Sequence, residues 1–400
     1  MDQRQPRKKE IMDSGNPYLQ QEESEYILII DGNGLLKGSM ITSLTSPNGV
    51  KNAWVMNFLW KIKILLHKRP FSKIFCVWDG KNSGILRYDL YPDYKKTRKK
   101  NYSEYDRKIN SFVYSVLERE KAKREELSKQ KDPEKYLKNQ LNLEQQGEDF
   151  EKTKFMIQEL LEYLFIRQIQ DDVEGTESDD MIAYMVLNKL PNQKIYIITG
   201  DRDIHQLISN DVAIYNHREK EIYHIGNYQE KFGMPVENVL IDKILRGDSS
   251  DNIIGIKGLG PKKLQDYYPE LYLNPITIEK IVEKTKLLLE RKNTKDITRI
   301  FNQIIEEYND GSLNLREKII NLKKPLVGDK IKDELNELME SPLDPSDRNF
   351  DNVYRIINRE KLTDLQGDKF SSFFIPFKRV IEKEKFFYRK SGFTEINDNQ

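Results

Sequence analysis

The chain has 400 residues, 38% hydrophobic and 33% charged, enough for two or three domains under a large charged surface. Its 66 Lys and Arg against 65 Asp and Glu leave a net charge of +1, which excludes a global basic field, so any nucleic-acid partner must be held by local patches. The single cysteine, Cys76, excludes an intramolecular disulfide and fits a reducing cytoplasm. With only four scattered histidines, His67, His205, His217 and His224, a zinc site is not expected.

In chain order, residues 1–24 lack the apolar centre of a signal peptide and read as a disordered tail. "EYILII" (25–30) reads as a buried strand stopped by Asp31-Gly32. A helix is expected over 50–68, then a second strand, "KIFCVW" (73–78), stopped by Asp79-Gly80. Residues 101–160 are rich in Lys, Glu, Gln and Tyr, and read as long exposed helices with a poorly ordered stretch around 125–150. "FIRQIQ" (165–170), "KIYIIT" (194–199) and "DVAIYN" (211–216) read as further strands, with a helix over 179–190. Strands alternating with helices predict an α/β fold, a mostly parallel central sheet with helices on both faces. From 236 onward no strands are expected, only helices broken at prolines. No apolar run approaches about 18 residues, so no membrane span is expected.

Asp31, Asp79 and Asp201 each follow a predicted strand, on the edge of an open parallel sheet where ligands bind. "TGDRDIHQL" adds Asp203. "EGTESDDMIAYMV" adds Glu177, Asp179 and Asp180 before a helix, and "RGDSSDN" adds Asp248 and Asp251. Singly, each has an ordinary reading: aspartate is common after strands, and Thr176-x-x-Asp179 resembles a capping box. Together in one cleft they would repel one another by several kcal/mol at close range unless cations neutralised them. Hard oxygen donors without His or Cys select Mg2+ or Mn2+, and two such ions about 4 Å apart clamp a phosphodiester for attack by water.

Two basic stretches accompany the acids. "LRYDLYPDYKKTRKK" (86–100) interleaves Arg87, Lys95, Lys96, Arg98, Lys99 and Lys100 with Tyr88, Tyr91 and Tyr94, a pattern suited to stacking single strands at the cleft mouth. Lys95 and Arg98 could neutralise charge developing on a scissile phosphate. "GIKGLGPKK" (255–263) reads as a hairpin between helices. There Gly258 and Gly260 free backbone amides, Pro261 starts the next helix, and Lys257, Lys262 and Lys263 attract phosphates. In "QGDKFSSFF" (366–374) the spacing from Gln366 is one off a clamp-binding motif, so Phe373 and Phe374 are expected in the core.

Five blocks in order, "LIIDGNG", "WDGKNSGILRYDLYPDYKKTR", "EGTESDDMIA", "TGDRDIHQL" and "RGDSSDNIIGIKGLG", resemble the 5′-nuclease family of flap endonucleases and phage 5′-exonucleases. Within it they are most similar to the ribonuclease H of T-even bacteriophages. The resemblance spans about 29–264, with a weaker likeness at "KFFYRKSGFTEIND". It implies a PIN-like domain over 25–235 with a helical arch insertion at about 88–155. A helix–hairpin–helix DNA-binding region over 236–290 and a C-terminal helical region over 291–400 would follow. It also implies one ion among Asp31, Asp79, Glu177, Asp179 and Asp201, and a second held or oriented by Asp203, Asp248 and Asp251 with Asp180 nearby. Lys95 and Arg98 match the family's active-site cations. The long arch with acids among its lysines, and Pro261 in the hairpin, depart from the family pattern.

The resemblance implies a metal-dependent 5′→3′ nuclease that removes RNA primers and DNA flaps, a cytoplasmic monomer acting on DNA and RNA–DNA hybrids with free 5′ ends. Replication proteins such as a single-strand-binding protein or sliding clamp would be its protein partners. The alternative is a non-catalytic module that binds branched DNA. A phosphatase with an aspartate nucleophile is disfavoured, because "DGNG" has no second acid two residues after Asp31.

Overall fold

A computed structural model describes residues 25–40, 51–95, 133–189, 192–291, 294–346 and 348–391, with side chains omitted for 133–143. The sheet is built from β1 (Glu25–Asp31), β2 (Lys73–Trp78), β3 (Arg167–Gln170), β4 (Gln193–Thr199), β5 (Val212–Asn216) and β6 (Glu221–Tyr223). Its order is β3-β2-β1-β4-β5-β6, parallel except for the β5–β6 pair. The strands are apolar at nearly every position because both faces are covered. In β1, Leu28 and Ile30 enter one core while Ile27 and Ile29 enter the other, and in β2 Ile74, Cys76 and Trp78 oppose Phe75 and Val77.

The first core lies under α1 (Gly32–Lys37), α2 (Asn52–Lys68) and the C-terminal half of a long helix, α4 (Pro133–Tyr163). A short α3 (Ile85–Leu90) follows β2. The expectation of exposed helices through 160 is corrected over its last residues. Residues 133–163 form one helix, and its Met156, Ile157, Leu160 and Leu161 are buried in the first core. Composition misled because the first part of that helix is polar and only its end carries an apolar face. Residues 96–132 lie outside the described residues.

The second core sits on the other face, under α5 (Ser178–Leu187) and a 3-10 turn (Asp203–Leu207), with α6 (Ile225–Phe232) at its edge. A third core forms around α7 (Val239–Arg246), α8 (Pro261–Tyr267), α9 (Glu270–Leu273), α10 (Ile278–Leu289), α11 (Lys295–Asn309) and α12 (Ser312–Ile320). Between α7 and α8 stand two strands that the sequence did not lead us to expect, β7 (Gly247–Asp248) and β8 (Ile253–Ile254), paired antiparallel. At two residues each, they are too short to show a period.

Residues after 321 do not continue the third core as a separate unit. α13 (Asp329–Glu340) packs Ile331 and Leu335 into the second core, while α14 (Phe350–Arg359) and α15 (Asp368–Lys390) return to the first. Phe373 and Phe374 are buried there, as expected of core residues. The return is fastened by an ion pair between β3 and α15. Arg167 Nε and Nη2 donate to Glu384 Oε1 and Oε2 at 2.9 and 2.7 Å, and Arg167 Nη1 donates to the carbonyls of Leu338 and Ser341. Both side chains are at most 1% exposed.

Removing one member of such a pair leaves the other charge buried and uncompensated, at a cost of about 3–5 kcal/mol. Glu384→Gln is therefore expected to lower unfolding free energy by that amount in urea titration. A loss under about 1 kcal/mol would mean that the carbonyls alone satisfy Arg167.

Candidate active site

Three adjacent strands, β2, β1 and β4, end side by side, and an acid follows each. Asp31 closes β1 and caps α1: its Oδ1 accepts from Gly34 N at 2.8 Å and its Oδ2 from Thr199 Oγ1 at 2.8 Å. A Cβ on Gly34 would stand 2.0 Å from that carboxylate, which is why the second glycine of "DGNG" has to be glycine. Asp79 accepts from Ser178 N at 2.9 Å and from Asn33 Nδ2 at 3.3 Å. Asp201 accepts from Asp203 N at 2.8 Å. These acids open onto a cleft of about 690 Å³ lined also by Glu177, Asp179, Asp203, Asp248 and Asp251, and by Lys37, Lys95, Arg202, Arg218 and Lys243.

Glu177 is the N-cap of α5, presented by a loop that the buried Asp171 carboxylate ties through the N–H groups of Val173, Glu174 and Thr176. The cap makes no side-chain capping bond. Thr176 Oγ1 instead accepts from Gly328 N, so the capping-box reading is corrected. Glu177 receives Lys95 Nζ at 2.5 Å, Tyr94 OH at 2.8 Å and Arg87 Nη1 at 3.0 Å. Burial opposes its charge, but Lys95 and Arg87 outweigh burial and hold its pKa at about 2. Asp179, in the first turn of α5, has no cation bonded to it among the described residues, and Lys95 only partly offsets its surroundings. Burial first, then the charges of Asp201, Asp31 and Asp79, push it well above the usual carboxylate range. Asp31 rises to about 6, through burial and then Asp79 and Asp201 against the bonds from Gly34 and Thr199.

The second group comes from the 3-10 turn and the β7–β8 turn. Oxygens of Asp203, Asp248 and Asp251 lie within 4.8 Å of one another. Lys243 on α7 bridges two of them, bonding Asp203 Oδ1 and, at 2.6 Å, Asp248 Oδ2. Asp248 also accepts from Ser250 N and Oγ, and is held at about 2 although burial pushes the other way. Burial dominates at Asp203 and lifts it to about 7 despite Lys243. Tyr94 joins the groups, its hydroxyl also lying 3.1 Å from Asp251 Oδ2.

Three sequence assignments change. Asp180 is buried and turned away from the cleft, with its carboxylate taken by both Arg87 Nη atoms and by Leu326 N, so it is not placed to hold an ion. Arg87 is 5% exposed, bonded to Asp180, Glu177 and the Ile319 carbonyl, and does not reach a surface strand. Tyr94 is 2% exposed, and stacking on a base is not open to it. The three face inward because one buried guanidinium needs two carboxylates, a pairing between distant segments that no local pattern announces. Sequence reasoning missed Lys243, Lys37, Arg202 and Arg218. Only the i to i+5 spacing from Lys243 to Asp248 hinted at one of them. Lys96 and Arg98 lie outside the described residues.

The hairpin follows β8 directly. Gly258 has φ +84, Gly260 caps α8, and Pro261 is the first residue of that helix. Lys257 and Lys262 are exposed, Lys263 is half-buried, and none of them is in an ion pair among the described residues.

The profile of the 5′-3′ exonuclease N-terminal, resolvase-like domain matches residues 26–233. The chain is similar to the 5′-3′ exonuclease of Mycoplasmopsis pulmonis, 28% identical over 335 residues, 82% of this chain and 93% of that protein. It is similar to flap endonuclease Xni of Shewanella frigidimarina, 23% identical over 295 residues, 73% and 95% of the two chains. Its fold is that of the bacteriophage T5 flap endonuclease, solved as a pseudo-enzyme-product complex with DNA and metal ions. The TM-score is 0.51 at 16% identity, over 84% of this chain and 100% of that one. The acids at the ends of β1, β2 and β4 all stand in the matched domain, and the chain belongs to the 5′-3′ exonuclease family.

Proposed function

We propose that the chain is a divalent-metal-dependent 5′→3′ nuclease, a ribonuclease H, 5′-exonuclease and flap endonuclease that removes RNA primers and adjacent DNA in lagging-strand replication. The observation that carries this reading is the convergence of eight carboxylates in one cleft, three of them held toward the protonated form by burial and by one another. A merely structural cleft would not accumulate charge it cannot neutralise. The donor set fits a hard cation such as Mg2+ or Mn2+: all of its acidic ligands are oxygen, and no His or Cys lines the cleft.

Asp31, Asp79, Asp179 and Asp201 would hold one ion, and Asp203, Asp248 and Asp251 the second. Glu177 is the weakest member of the first set, since Arg87, Tyr94 and Lys95 already take its oxygens. Bound there, such ions polarise a phosphodiester and lower the pKa of water. Lys95 faces the cleft from the side of Glu177 and is placed to offset charge growing on the phosphate. The hairpin lysines and the Gly258–Gly260 turn would grip the duplex through its backbone, without reading sequence. The setting would be the cytoplasm, and the working form a monomer. No described helix is long and apolar enough to cross a membrane.

Asp201→Asn is expected to abolish cleavage of 5′-flap and RNA–DNA substrates in Mg2+ while nucleic-acid binding persists. With one carboxylate fewer, the metal-free melting temperature should hold or rise. Near-normal cutting would leave the non-catalytic module as the better reading.

Metal binding should release protons. The folded state holds more protons on Asp31 and Asp203 than the unfolded chain does from about pH 4 to pH 7, so without metal these groups weaken the fold as pH rises through that window. A cation must displace those protons, so affinity rises with pH. Calorimetry of Mn2+ binding in two buffers should find on the order of one proton released at about pH 6.5 and almost none at about pH 9. Equal release at both would place the ions elsewhere.

Lys257→Ala with Lys262→Ala should lower the slope of log K for duplex binding against log salt by about 1 for each backbone phosphate left without its lysine. Arg87→Met should leave that slope alone and instead cost about 3–5 kcal/mol of stability, since it strands the buried Asp180 carboxylate. A changed slope in Arg87→Met would return it to the nucleic-acid surface.

A further inference from the structure

The cations of the cleft fall into two sets. Lys95 and Lys243 are bonded to carboxylates. Arg218 lines the same cleft, is exposed, and bonds among the described residues only through its backbone N–H, to Asn216 Oδ1 at 3.0 Å. Behind it lies His217, 3% exposed, and beside them Lys61, half-buried on α2. A Cβ on Gly200 would stand 2.8 Å from Arg218 Nε and 2.9 Å from His217 Cε1, and one on Gly38 would stand 2.0 Å from His217 Nε2. Two glycines thus let the imidazole lie against the cleft wall, of which Gly200 is part.

No carboxylate forms an ion pair with Lys61 or Arg218 among the described residues. The Lys61 ammonium is held by the Gly38 carbonyl at 2.7 Å and Ser39 Oγ at 3.0 Å, both neutral. Burial and then Arg218 lower Lys61 to about 8, while burial and then Lys61 and Arg218 lower His217 to about 4. The Thr199 carbonyl is near enough to favour a charged ring slightly, yet neither ring nitrogen has a partner of hydrogen-bond geometry among the described residues. A buried ring with both nitrogens unmatched, beside two cations that form no ion pair among the described residues, is costly unless a further partner completes it, and an anion suits both.

We propose that Lys61, His217 and Arg218 form a phosphate-binding subsite at the edge of the acidic cleft, taking a backbone or terminal phosphate of the strand whose scissile bond lies among the carboxylates. The proposal rests on the reading of the cleft as a 5′-nuclease site. Arg218 meets the phosphate from the open side, Lys61 adds positive charge from behind, and the neutral His217 ring offers an N–H donor. The carboxylates would repel that phosphate, so this edge fixes where the strand enters.

The test is nucleic-acid binding in EDTA by wild type and Arg218→Gln, on single strands and flaps carrying either a 5′-phosphate or a 5′-hydroxyl. Arg218 makes no side-chain bond among the described residues whose loss would unfold the protein. The slope of log K against log salt should fall by roughly 0.7–0.9 in the variant. A fall on both ends identifies an internal phosphodiester, and a fall on the 5′-phosphate alone identifies the terminal group. In parallel, inorganic phosphate should shift the His217 ring resonances saturably in wild type and at least tenfold more weakly in Arg218→Gln. An unchanged slope on every substrate overturns the proposal. If wild type binds no nucleic acid, the nuclease reading fails, and the phosphate titration decides the subsite alone, with an unmoved ring overturning it.

Discussion

Repulsion among carboxylates is the constraint around which this molecule is arranged. Parallel strands that end together bring Asp31, Asp79 and the Asp201 segment together, and α5 and the β7–β8 turn add more acids to the same space. The chain answers in two ways. Glu177 and Asp248 are given cations and stay ionised at low pH. Asp31 and Asp179 are left to burial and to neighbouring carboxylates, Asp203 yields to burial although Lys243 bonds it, and all three hold their protons more tightly than isolated carboxylates. The first kind of acid is a fixed part of the framework. The second is the kind a divalent cation would relieve.

The fixed part also sets the third core against the sheet. Arg87 reaches from α3 to Glu177 and Asp180 on one side and to the Ile319 carbonyl on the other. Lys95 N donates to the Asp251 carbonyl at 2.7 Å, and Asn252 Nδ2 donates to the Asp93 carbonyl at 2.8 Å. Bonds from main-chain and side-chain amides therefore run between the stretch after β2 and the turn that carries Asp248 and Asp251. The two acid groups keep their spacing because their supports are bonded to one another, with Tyr94 as the shared donor.

What was legible in the sequence follows from this division. Strands covered on both faces read as unbroken apolar runs, and an acid after each run marks the ligand-binding edge, so Asp31, Asp79 and Asp201 stood out at once. The lower-lying information was pairwise and long-range. Nothing in "LRYDLYPDYKK" distinguishes an arginine that turns inward to Asp180 from a lysine that faces the cleft. Arg87 and Tyr94 therefore read as surface groups until the partner segments were in place. Lys243 sits in an amphipathic helix where a lysine reads as solvated, and only the fold brings the 3-10 turn beneath it. His217 and Arg218 follow a strand end without an acid, and so carried no signal at all.

The closeness of acids and lysines in residues 244–264 has a mechanical explanation. Asp248 ends β7, Asp251 stands in the turn, and Ile253 and Ile254 return as β8, pairing Gly247 with Ile254 and Asp248 with Ile253. The next residue, Gly255, packs so closely on the backbone of Arg246 and Gly247 that a Cβ there would overlap it. Ile256 N then donates to the Leu245 carbonyl at 2.8 Å, and Leu259 and Leu264 anchor the hairpin in the third core beside Ile244 and Leu245. A load on the hairpin is therefore carried through a few backbone bonds to the carboxylates of Asp248 and Asp251. Lysines that attract a polyanion and acids that repel it can stand on one short ladder because they face different ends of it: the hairpin presents its lysines to solvent, and the turn holds its acids against Tyr94 and Lys243 inside the cleft.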